Sequence, residues 1–117
     1  MRFASCLLVV AIGVTACGGA AVPHDKLSSA KAAMRAAEVA GAPNDPQGAL
    51  RVKKAGEAIA HAEKLIKEDE NERASYVLER AQVDAELALA LAQELTMRGE
   101  AEEAQREVAK LKAEVAQ

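Results

Sequence analysis

The sequence predicts an all-α fold: a short first helix, then an antiparallel helical hairpin whose long third helix extends as a coiled-coil-like tail. Three observations lead there. Apolar residues recur at spacings of three and four in three separate segments, which places each set on one helical face. Two short clusters of turn-forming residues, at 41–46 and 68–71, separate those segments. Alanine supplies about one residue in four after position 16, while Phe3 and Tyr76 are the only aromatic residues. Such helices form readily and approach closely, but they enclose a thin core.

The first helix is expected over residues 25–40, DKLSSAKAAMRAAEVA. Leu27, Ala30, Met34 and Ala37 share a face, Asp25 is placed to cap the start, and Gly41 with Pro43 ends the helix. Asn44-Asp45-Pro46 then opens a second helix, because Pro in the first turn forgoes only an N–H that has no intrahelical partner. Its stripe is Val52, Ala55, Ile59, Ala62 and Ile66, and it runs to about residue 68. Gly56 costs this helix about 1 kcal/mol relative to Ala, which suggests close approach of another backbone.

Glu68-Asp69-Glu70-Asn71 interrupts the apolar pattern with residues that favour turns and caps. Beyond it, Ala74, Leu78, Ala81, Ala85, Ala88, Ala92 and Leu95 form a stripe that Leu87 and Leu91 widen. A helix over 71–116 would be roughly 69 Å long and the second helix roughly 35 Å, so about half of the third has no partner of matching length. At Gly99 the apolar face is expected to rotate. The tail over 99–117 instead presents Met97, Ala101, Ala104, Val108, Leu111 and Val115, a candidate self-association or docking face of about two and a half heptads. Weak similarities between segments at an offset of 25 residues reflect hairpin grammar and make no repeat array.

The amino-terminal segment carries a different message. Arg2 precedes FASCLLVVAIGV, twelve uncharged residues at positions 3–14. A membrane span needs about 20, so the run reads as the core of an export signal over residues 1–16. Val14-Thr15-Ala16-Cys17 resembles the lipobox of bacterial lipoproteins. That resemblance implies cleavage after Ala16, a diacylglyceryl group on the Cys17 sulfur and an acylated new terminus, with residues 17–24 as a lipidated tether. One acyl chain binds a membrane only marginally, and two or three hold it, at about 0.8 kcal/mol per buried CH₂. The alternative is an ordinary secretory signal, which would release a soluble helical protein with Cys17 as its single thiol. Gly18, where an Asp would favour retention at the inner membrane in enteric bacteria, favours the outer membrane by similarity to that rule.

Without residues 1–16 the chain keeps 14 of its 15 Lys and Arg against 18 Asp and Glu, a net charge of -4. That balance argues against nucleic acid as a partner. Catalytic patterns are missing. His61 stands four residues after Glu57, but a metal site wants three or four convergent ligands. Asp69-x-Asn71-x-Arg73 begins like a calcium loop and fails at its sixth and twelfth positions, Ala74 and Arg80. Ser28, Ser29 and Ser75 have no neighbouring base in the sequence pattern, and there is no phosphate loop. No enzyme activity, cofactor, metal or small-molecule substrate is expected.

Together with the lipobox, the short Ala-rich first helix, the linker AGAPNDPQGAL and the segment IKEDENERASYVLERAQVDAELALALAQ resemble the bacterial lipoproteins of domain of unknown function 4398. The likeness covers residues 25–98, read as the helical hairpin domain. It implies an envelope protein, lipid-anchored to the outer membrane and facing the periplasm. Some members continue into an OmpA-like peptidoglycan-binding domain, which this sequence does not contain, so that activity is not carried over. The expected role is a non-enzymatic scaffold or adaptor for another envelope protein. A self-associating structural spacer is the alternative.

Overall fold

The computed structural model describes residues 19–116, and all of its regular structure is helical. Helix α1 spans His24–Val39, a single 3-10 turn follows at Ala42–Asn44, α2 spans Pro46–Lys67, and α3 spans Asn71–Val115. Residues 1–18 and 117 lie outside the described residues, and with them Ala16, Cys17 and the export signal.

Each boundary has a local cause. Asp45 caps α2, its Oδ2 accepting from the amides of Gln47 at 2.9 Å and Gly48 at 2.8 Å, with Pro46 in the first helical position. Asp25 does not cap α1. The helix begins one residue earlier, with Pro23 preceding it and Asp25 already in its first turn, where a carboxylate still meets the positive end of the helix dipole. Gly41 ends α1 in the left-handed region at φ 86°. The end of α2 reverses over two bonds, from the Asp69 amide to the Ile66 carbonyl at 3.1 Å and from the Glu70 amide to the Leu65 carbonyl at 2.9 Å. This is the Schellman arrangement, with Asp69 at φ 59° in the position glycine usually fills.

The two short connections make neighbours antiparallel, so α1 and α3 run in the same direction. Alanine lets them pack closely. Ala30, Ile59, Ala62, Leu65, Ala74, Leu78 and Ala81 form one buried cluster, and Ala37, Ala42, Ala88 and Ala92 form a second nearer the start of α2. Leu78 is the largest side chain that is fully buried.

The packed region ends at Ala92, and every residue from 93 to 116 is exposed. The reason is length: α2 has 22 residues, as many as α3 between positions 71 and 92. Leu95, expected in the core, therefore faces water with about half its surface, because α2 starts too late to cover it. Leu87 is likewise exposed and does not widen the packed stripe. On α2 it is Leu65 that is buried, with Ile66 packed at the cluster's edge. No backbone approaches Gly56; its nearest neighbour would be the Met34 sulfur at 3.7 Å. The close approach occurs at Gly48, where an added Cβ would lie 2.3 Å from the Ala42 carbonyl oxygen.

Candidate functional site

Three ion pairs fix the helices, one for each pair of helices. Lys26 on α1 bonds Ser75 at 2.6 Å and pairs with Glu79, both on α3. Lys31 on α1 reaches Glu63 on α2 at 2.6 Å, and Arg51 on α2 reaches Asp84 on α3 at 2.8 Å. Asp84 is the one buried charged residue among those described. The first two pairs are half-exposed and contribute little to stability. Their value lies in register: Lys26 and Ser75 set the starts of α1 and α3 side by side at one end of the bundle.

That same end receives the chain's amino-terminal approach. The side-chain amide of Asn71 donates to the Ala20 carbonyl at 2.9 Å, laying residues 19–23 against the start of α3. A cleft of about 720 Å³ opens there between Val22, Pro23, Lys26, Tyr76 and Glu79. Ala20 is thus tied to the start of α3 by one hydrogen bond, a contact that nothing in the apolar patterning signalled.

At the other end of α3 the exposed overhang begins. Met97, Ala101, Ala104, Val108, Leu111 and Val115 all lie on it, and all are exposed. At about 100° per residue they fall on one face, nearly half a turn from the face that Ala74, Leu78, Ala81, Ala85, Ala88 and Ala92 bury. Val108, Leu111, Lys112 and Val115 form a nearly flat, mostly apolar strip near the end of the helix. Three exposed apolar residues of the packed part, Tyr76, Val83 and Leu87, lie on the same outer face. The sequence pattern does not single out Tyr76 and Val83 and places Leu87 on the packed stripe, because that stripe claims the same segment.

The polar candidates do not converge. Glu57 pairs with Lys53 at 3.8 Å, and among the described residues no group of three or more His, Cys, Asp or Glu is arranged to hold a metal ion. Glu57 and His61 line a shallow groove with Lys54, Arg80 and Asp84, where two cations, Lys54 and Arg80, and two carboxylates offset one another. No helix among the described residues is long and apolar enough to cross a membrane.

No curated protein and no solved structure matches the chain significantly. A family model does, over residues 25–104, which take in α1 but for its first residue, all of α2, and α3 as far as the first turns of the overhang. The match extends beyond the packed region into the tail. The chain belongs to the family described as Domain of unknown function (DUF4398).

Proposed function

We propose that the protein is a lipid-anchored, non-enzymatic component of the bacterial envelope, a helical scaffold or adaptor that presents its third helix to another protein in the periplasm. One observation carries this reading: residue 19 and the overhang leave the bundle at opposite ends. The Asn71–Ala20 bond holds the amino-terminal approach at the start of α3, and α3 then runs roughly 68 Å to Val115. An acyl anchor at Cys17 would hold the near end at a membrane surface and project the outer face away from it. Large apolar side chains left in water over that length suit a surface that another chain covers.

The anchor is tested by expressing the full chain in bacteria with labelled fatty acid and comparing it with Cys17→Ser. The expected result is label in the unsubstituted protein, sedimenting with outer membranes, and an unlabelled variant in the soluble periplasmic fraction. A variant that still sediments with membranes, or an unsubstituted protein that takes up no label, overturns the anchored reading.

A further inference from the structure

The outer face of α3 is a single heptad seam, and we propose that it pairs in parallel and in register with the same seam of a second copy. The inference rests on α3 being the docking element of the function proposed above, and puts a second copy of this chain in the place of the other protein. It does not depend on the lipid.

The positions are Tyr76, Arg80, Val83, Leu87, Ala90, Glu94, Met97, Ala101, Ala104, Val108, Leu111 and Val115, separated by alternating steps of four and three. Every one is exposed, and all but Arg80 and Glu94 are apolar. The apolar face therefore does not rotate at Gly99. Two seams coexist on α3: one at Ala74, Leu78, Ala81, Ala85, Ala88 and Ala92 faces α1 and α2, and the other faces away along nearly the whole helix. The tail alone holds too few heptads for a coiled coil, whereas the continuous seam holds more than five, beyond the three or four such a pairing needs. Because every seam position is exposed, a second copy can reach it without displacing α1 and α2; the e positions of the packed part, Val77, Asp84 and Leu91, are turned toward the bundle, so flanking charge pairs are confined to the tail.

Chemistry selects the occupant. With Tyr76 taken as d, the a positions are Arg80, Leu87, Glu94, Ala101, Val108 and Val115 and the d positions Tyr76, Val83, Ala90, Met97, Ala104 and Leu111; in the tail, Val108 at a followed by Leu111 at d is the combination that favours two parallel strands. The flanking g positions are Glu79, Glu86, Gln93, Glu100, Glu107 and Glu114, and the tail's e positions are Arg98, Gln105 and Lys112. A parallel pair sets Glu107 against Lys112 of the other chain on both sides. An antiparallel pair would set the glutamate rows against each other, where like charges repel. In register, Arg80 and Glu94 at a positions each meet the same residue of the second copy, which weakens the seam at those two layers, and Glu94 is already paired with Arg98 of its own helix. A seam of this length, roughly 59 Å by 10 Å on each chain, covers about 1,200 Å² in all, at the lower edge of stable interfaces.

The test uses cysteine reporters added one at a time to the full chain, expressed in bacteria and mildly oxidised in intact cells, with disulfide-linked products weighed on non-reducing gels. Substitutions at exposed positions leave the bundle intact. Val108→Cys and Leu87→Cys should each give severalfold more homodimer than Arg106→Cys, which lies on the far side of the tail, and more than the unsubstituted chain with its own Cys6 and Cys17. Homodimer from Val108→Cys but not from Leu87→Cys overturns the continuous seam. Linkage only when Val83→Cys and Val108→Cys are combined overturns the parallel register. Products containing a different protein, without homodimer, overturn self-pairing while leaving α3 as a docking element. No product at any position removes both.

Discussion

Gly48 lies directly beneath Ala42: a Cβ on the glycine would stand 2.3 Å from the Ala42 carbonyl oxygen and 3.0 Å from its carbonyl carbon. Backbone atoms cannot swing aside as a side chain can. The 3-10 turn and the first turn of α2 are thus locked together by the missing side chain, just where the second buried cluster closes over Ala42 and Ala88. Gly48→Ala improves helix propensity by about 1 kcal/mol, yet the overlap forces the two turns apart. The expected net loss is about 2 kcal/mol, as overpacking gives elsewhere. Urea denaturation compared with Gly56→Ala checks it, since the Met34 sulfur 3.7 Å away leaves room at Gly56 and that variant should be neutral or stabilising.

Arg51 and Asp84 predict an asymmetry. Asp84 keeps only 10% of its side-chain surface, whereas Arg51 keeps 36%. Arg51→Ala strands a carboxylate between helices and is expected to cost about 2 kcal/mol, below the range for a fully buried pair because solvent reaches the arginine side. Asp84→Ala leaves a guanidinium that can turn to water, at a cost of about 1 kcal/mol or less. Equal losses in denaturant midpoints would refute the assignment of Asp84 as the buried partner. A double-mutant cycle then isolates the coupling.

Asp69 occupies a left-handed backbone position that most side chains avoid. Asp69→Gly removes that steric cost while loosening the unfolded chain, and the balance favours the folded state by about 0.5 kcal/mol. Asp69→Val, branched at Cβ, should lose about 1 kcal/mol or more. Thermal melts of the two variants should shift in opposite directions around the parent.

These positions also show what was legible beforehand. Helix number, the start signal at Asn44-Asp45-Pro46 and the alanine faces could be read because they are local or periodic. Gly48 could not be told from Gly56, since contact with Ala42 depends on how the chain folds back. The Lys26, Lys31 and Arg51 pairs were hidden among many surface charges of the same types. The outer seam stayed fragmentary for a physical reason: α3 carries two stripes of the same period, and only burial says which residues belong to which. Leu87 was assigned to the wrong one on spacing alone.

Burial also separates leucines of one helix. Leu78 is fully enclosed by Ala30, Ile59, Ala62, Ala74 and neighbouring residues, and short alanine side chains cannot reach across the space a shortened residue would leave. Leu78→Ala should therefore fall within the upper part of the usual large-to-small range, about 3 to 4 kcal/mol. In a domain of this size each kcal/mol lowers the melting temperature by about 4–8 °C, so the variant should melt on the order of 15 °C or more below the parent. Leu95→Ala removes the same atoms from a site about half open to solvent, beyond the end of the packed region and off the outer seam. Its loss should be under about 1 kcal/mol. Paired melts at one protein concentration, followed by circular dichroism at 222 nm, the helix band, decide the matter. Comparable losses at the two sites would mean that the packed region extends past Ala92.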